Sequence, residues 1–352
     1  MIGVVRALVR RECHSEGVAE ESSNPQFGRP FASLRVTAVV PSRLEISGRP
    51  RAPETVRGFV YTFFTWRQQG QRRAMSRFTQ RLEQASTETK SLVCVGLDPD
   101  PTRMPVDSVY EFNQAIVDAT AGIVCAYKPN LAFYEALGLP GLEDLHKTIA
   151  HIRDSTPGAI IIGDAKRGDI GPSAQAYAKA LFQVWGFDAV TINAWGGEDT
   201  VTPFLEDETK GVFVWCRGSN PGSADFQDVR ITTDDGPMAL YRNMALACQQ
   251  WDTKGNLGLV VGATVPEQLK EIRAVCPNMP FLIPGVGAQG GDLEAAVRLG
   301  SDSRGRAALI NSSRGIIYAS SGRDFAQAAA REAEKLRTSI NQVLEADDKG
   351  WP

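Results

Sequence analysis

A chain of 352 residues, 43% of them apolar, can bury a large core, and one domain of about 250 residues fits inside it. No run of 18 apolar residues occurs, which excludes a membrane-spanning helix. The net charge of −3 is uneven: residues 1–74 hold twelve arginines, six glutamates, no lysine and no aspartate, +6 in all, so the remainder carries −9, an acidic body that argues against nucleic-acid binding.

The six cysteines (Cys13, Cys94, Cys125, Cys216, Cys248 and Cys276) are scattered, mostly in apolar runs, with no Cys-x-x-Cys pair. That suits reduced, buried thiols in a cytoplasmic protein. His146 and His151 lie five apart, on different faces of a helix, so no metal site is expected there.

Residues 1–74 show no sustained period of 2 or 3.6 and are rich in Pro, Arg, Ser and Gly. They read as an N-terminal extension ahead of a domain at 75–352. Three readings stand: a disordered tail, an organelle-targeting peptide (against which the glutamates count), or upstream sequence translated ahead of Met75 as the true initiator.

From residue 91 apolar runs alternate with amphipathic stretches. The runs are Ser91–Asp98, Ile123–Asn130, Ala159–Lys166, Asp188–Trp195, Gly211–Arg217, Leu257–Thr264, Pro280–Gly287 and Ala307–Arg314. Each is aliphatic on both faces, as in a parallel sheet covered on both sides. Helical patterns include Ser173–Trp185, Pro266–Val275 and Asp324–Val343. Eight repeats in this length predict an α/β fold, a (β/α)8 TIM barrel, with a doubly wound open sheet as the alternative. Polar residues gather at the carboxyl ends of the runs (Asp98, Lys128, Asp164, Lys166, Asn193, Arg217 and Arg314), where a barrel collects its catalytic groups, and the opposite ends carry nothing comparable.

The densest cluster is Asp164-Ala165-Lys166-Arg167-Gly168-Asp169. On an extended strand Asp164 and Lys166 point the same way, and Lys128 at the end of the preceding strand can reach them. Lysines among carboxylates in a cleft hold one another ionised. A salt-bridged strand end serving stability is the competing reading.

Asp164-x-Lys166-x-x-Asp169 resembles the signature of the orotidine 5′-phosphate decarboxylase superfamily. Gly96-Leu97-Asp98, Lys128-Pro129-Asn130, Thr191-Ile192-Asn193, Pro284 to Gly291 and Ser312-Ser313-Arg314-Gly315 match it too. With Arg217-Gly218-Ser219-Asn220-Pro221-Gly222, the chain is similar to the longer bacterial form over about residues 76–345. The resemblance implies decarboxylation of orotidine 5′-monophosphate to uridine 5′-monophosphate and CO2, with no cofactor, in a homodimer with shared sites. It implies that Lys166 protonates C6, that Asp164 and Lys128 hold it, and that Asp169 enters from the partner. Asp98 and Lys128 then bind ribose hydroxyls, and Ser219 the pyrimidine edge. Ile170 and Ser173 complete the shared site, and Asn193 is a further substrate-binding residue. Gln289, Arg314 and amides near Gly315 grip the 5′-phosphate.

The chemistry is coherent. Loss of CO2 leaves an electron pair in an sp2 orbital, and a fixed ammonium both stabilises it and delivers the proton. Gly285-Val286-Gly287-Ala288-Gln289-Gly290 also spells a dinucleotide fingerprint, but Ser312-Ser313-Arg314 stands where that motif needs an acid. A phosphate grip after the seventh and eighth strands is the better account. Two rivals remain: a Mg2+-dependent sugar-phosphate decarboxylase or lyase, which should add a glutamate near the second strand, and a non-catalytic nucleotide-binding barrel. Two departures from the family pattern are Gly218, where relatives often carry a larger polar residue, and Ser301 to Arg306, expected as a surface insertion.

Overall fold

The computed structural model describes residues 76–233, 236–287 and 290–352. The proposed extension 1–74, Met75 and Gln289 lie outside them.

Among the described residues ten strands form, in chain order β1 (Val93–Leu97), β2 (Ala126–Pro129), β3 (Ile160–Arg167), β4 (Ala189–Ile192), β5 (Gly211–Arg217), β6 (Arg230–Thr233), β7 (Gly236–Ala239), β8 (Leu257–Val261), β9 (Phe281–Pro284) and β10 (Ala308–Ser312). Eight close into a parallel barrel in the order β1-β10-β9-β8-β5-β4-β3-β2, with Val93 opposite Ile310 and Cys94 opposite Ala126. The expected barrel is therefore present and the open sheet is not. Alternation explains the two-sided burial. Along β1, Val93, Val95 and Leu97 pack outward with the helices, whereas Cys94 joins Ile160, Ile162, Phe213, Leu282 and Leu309 in the interior.

Two elements were not anticipated. Helix Arg77–Thr89 opens on Ser76, whose side chain accepts from Thr79 N, and sets Phe78, Leu82 and Ala85 into the interior cluster. Phe78 meets Phe213 edge-on with centroids 6.2 Å apart, near Gly211 at the start of β5. The helix thus closes the amino-terminal end of the barrel and leaves its carboxyl end open. The antiparallel hairpin β6–β7 sits in the connection from β5 to β8, outside the barrel. Its alternation of half-buried and exposed residues gave no apolar run to read.

The helix expected at Ser173–Trp185 forms as Gly171–Lys179 followed by a π-turn, Ala180–Val184, and Pro266–Val275 forms as predicted. The last helix runs Phe325–Ala346. No described helix is long and apolar enough to cross a membrane.

Two expectations need correcting. Ser301 to Arg306 is no surface insertion: Ser301, Asp302 and Arg306 are buried. Asp302 Oδ1 accepts from Arg304 N (2.9 Å) and Arg306 N (2.7 Å), and the Arg306 guanidinium donates to the carbonyls of Lys349 and Gly350 and stacks 3.7 Å from Trp351. The segment anchors the carboxyl terminus. Nor are the amino-terminal strand ends bare. Asp188, 2% exposed just before β4, meets Arg81 (2.7 Å) and Arg153 (2.6 Å) and accepts from Ile161 N (2.9 Å).

Candidate active site

A cavity of about 240 Å³ opens at the carboxyl ends of the strands. Six of the residues singled out in the sequence line it together: Asp98, Lys128, Asp164, Lys166, Ser219 and Arg314.

At its centre one carboxylate holds two ammonium groups. Lys128 Nζ donates to Asp164 Oδ2 at 2.8 Å, and Lys166 Nζ donates to Asp164 Oδ1 at 2.6 Å. Thr191 Oγ1 also donates to Asp164 Oδ1 (2.7 Å) and accepts from Lys166 N (3.0 Å), a role sequence reasoning had not given it. The convergence was expected from strand alternation, but it arises differently. Register shifts between Gly163 and Arg167 where β3 meets β4, and Lys166 takes a left-handed φ of +47°. A bulge re-aims the side chain, at a conformational cost an unbranched residue bears only when its surroundings enforce it.

Burial alone would lower the Lys128 ammonium, which is 4% exposed, but the charges of Asp164 and Asp98 outweigh it and hold the group above its ordinary value. Burial alone would raise Asp164, but Lys128 and Lys166 hold it well below the usual carboxylate range. Both therefore stay charged at neutral pH. Beneath them Cys94 is fully buried, and burial pushes its thiol up, so the floor is neutral.

Asp98 is positioned by its backbone: its carbonyl accepts from Tyr318 Oη (3.0 Å), which itself accepts from Asp100 N (2.6 Å). Its Oδ1 is buried without a partner, as is Oδ1 of Asn311, another cavity residue the sequence analysis missed. Asn130 also lines the cavity.

The rim is built by close backbone approach. A Cβ on Gly96 would run into Ser313 Oγ, so glycine lets the ends of β1 and β10 meet. After β9 the chain turns through Gly285 (φ +101°), Gly287 (+76°) and Gly290 (+78°), a path closed to most side chains. Arg314 and Gly315 are exposed at the start of the short helix Arg314–Ile317, and the Arg314 guanidinium makes no ion pair among the described residues. Arg217 is buried and turned to structure: it meets Asp228 through two bonds, 3.0 and 2.9 Å, and holds the loop that carries Ser219.

Five predicted residues do not line this cavity: Gly315, next to Arg314, and Asp169, Ile170, Ser173 and Asn193. Asp169, Ile170 and Ser173 follow β3 on the surface, with Ile170 59% exposed, and Asp169 Oδ1 accepts from Ile170 N (2.8 Å). Asn193 is exposed at the end of β4, its Oδ1 accepting from Trp195 N (2.9 Å). Among the described residues no three His, Cys, Asp or Glu side chains group as metal ligands.

The family model described as Orotidine 5′-phosphate decarboxylase / HUMPS family matches residues 91–331. The chain is 51% identical over 266 residues to an orotidine 5′-phosphate decarboxylase of Dehalococcoides mccartyi, covering 75% of this chain and 97% of that one. Leishmania donovani OMP decarboxylase is 36% identical with a TM-score of 0.65, over 76% of this chain and 99% of that one. Leishmania donovani UMP synthase, at 37% identity and a TM-score of 0.67, is matched over 77% of this chain but only 57% of its own length.

Proposed function

We infer the function from one premise: the chain belongs to the orotidine 5′-phosphate decarboxylase / HUMPS family. It decarboxylates orotidine 5′-monophosphate to uridine 5′-monophosphate and CO2, a step of pyrimidine biosynthesis. The observation that carries the mechanism is the single Asp164 carboxylate bridging Lys128 and Lys166 inside the open end of the barrel.

The bond from C6 to the carboxylate breaks and its electron pair stays on C6 as CO2 leaves. The Lys166 ammonium stands where that charge develops and then gives its proton to C6, to be recharged from solvent. Asp164 and Lys128 fix its position. Asp98 and Lys128 bind ribose hydroxyls, and the unpartnered Oδ1 of Asp98 supports this. Ser219 meets the pyrimidine edge. Arg314 and amides near Gly315, with Gln289, hold the 5′-phosphate, a reading the unpaired guanidinium at the rim supports. Binding energy from that remote group adds to the lowering of the barrier at C6.

Asp169, Ile170 and Ser173 act in a neighbouring site of a homodimer. Their exposure beyond the rim of their own cavity is what favours this. The reaction uses no cofactor or metal, and residues 75–352 suffice for it. Five described cysteines, buried and free, suit a cytoplasmic location. The Mg2+-dependent rival wants a carboxylate where β2 ends in Lys128-Pro129-Asn130.

The test is an ultraviolet assay of orotidine 5′-monophosphate in EDTA. Steady loss of the orotate absorbance, with uridine 5′-monophosphate as product, is expected. An unchanged spectrum, or turnover that EDTA abolishes, would contradict the reading.

A further inference from the structure

Three buried asparagines occur among the described residues, and two have structural employment. Asn113 donates to Tyr134 Oη (3.0 Å) and Thr148 Oγ1 (3.2 Å), and Asn256 donates to the carbonyls of Asp207 (3.2 Å) and Lys210 (2.9 Å). Asn311 has none. It is 6% exposed, and although the Oδ1 atoms of all three asparagines are without a partner, Asn311 alone of the three also has an Nδ2 that no other described residue engages. It sits on β10 opposite Cys94 of β1 and Pro284 of β9, and lines the same cavity as Lys128 and Asp164.

A carbonyl oxygen left idle in a protein interior destabilises the fold, because water has been stripped from it and nothing replaces the lost bond. A leucine of similar size would avoid that penalty beside Val260 and Leu282, which also line the cavity. A polar group kept at a cost, in a cavity, points to a ligand that supplies the missing partner. Position narrows which part of the ligand. Three residues further along, Arg314 meets the phosphate in the reading above, while Lys166 on β3 meets the pyrimidine three strands away. The neighbouring strand β1 leads to Asp98, the other cavity residue with an unpartnered buried oxygen. Between phosphate and base lies the ribose.

We propose that Asn311 is a further substrate-binding residue whose side-chain amide accepts a hydrogen bond from a ribose hydroxyl of the nucleotide. This rests on the nucleotide-site reading given above.

The experiment measures calorimetric Kd values for uridine 5′-monophosphate and its 2′-deoxy and 3′-deoxy analogues, with the melting temperature of each free protein, for the wild type and Asn311→Leu. Asn311→Leu should melt no lower than the wild type and bind uridine 5′-monophosphate roughly tenfold more weakly. The difference should vanish for the analogue lacking the contacted hydroxyl. An unchanged Kd, an equal loss on all three ligands, or a loss matched by a lower melting temperature would overturn the proposal. Should Asn311→Leu not fold, Asn311→Ala supplies the same three-ligand comparison. A wild type that binds none of these nucleotides would refute the underlying reading itself, and this one with it.

Discussion

Asp164 carries two lysines on one carboxylate, so removing its charge has two separable effects. In Asp164→Asn, Lys128 remains almost fully buried with its nearest anion gone, and burial then acts to lower its pKa. Breaking a buried pair in this way should reduce stability by about 3 kcal/mol. Residual turnover should fall as pH rises through a range where the wild type is flat, because Lys128 loses its proton there. A pH–rate profile parallel to the wild type, with unchanged melting, would contradict the coupling. Much of this residue-level chemistry was legible: the spacing on β3 led to the expectation that Asp164 and Lys166 meet, and Lys128 lay at the end of the adjacent strand. The bulge at Lys166 was not, since it depends on how β3 registers with β4. Asn311 was hidden inside an otherwise apolar run, and Thr191 looked like an ordinary strand residue.

At the scale of the element, the sequence located every barrel strand because each is apolar on both faces, and placed helix ends to within a few residues. It missed the helix Arg77–Thr89, although Phe78, Leu82 and Ala85 already show the spacing of one buried face. It also missed what joins that helix to the barrel, because Asp188 stands more than a hundred residues from Arg81. Burial would raise the Asp188 carboxyl, but hydrogen bonds and charge from Arg153, the Ile161 amide and Arg81 together hold it below its ordinary value. A depressed folded-state pKa contributes stability at pH values above the unfolded one, about 4, and that contribution is lost as pH falls through the folded value. Asp188→Asn should therefore destabilise the protein at pH 7 by about 2 kcal/mol, discounted for the partial exposure of both arginines. The deficit should shrink as both proteins are acidified below pH 4. Equal denaturant midpoints at pH 7 would show that the helix is held by Phe78 and its neighbours alone.

For the whole molecule, barrel closure gathers side chains from strands far apart in sequence at one end, while the helix Arg77–Thr89 packs into the other end. This much follows from eight alternating repeats. What one chain does not contain is Asp169, Ile170 or Ser173 within its own cavity. If these residues serve a neighbouring site, mixing Lys166→Ala chains with Asp169→Ala chains creates heterodimers with one complete site and one doubly defective site. Activity should reappear from two nearly inactive proteins, and verified heterodimers without recovery would argue that each chain works alone.

The ammonium of Lys166 carries the proposed chemistry, and turnover of orotidine 5′-monophosphate by Lys166→Ala tests that role most directly. The variant should still bind uridine 5′-monophosphate while kcat falls by a factor on the order of 10⁴ or more, since both charge stabilisation and proton delivery are removed. A kcat within about tenfold of the wild type, an effect of the size that one lost neutral hydrogen bond produces, would contradict it.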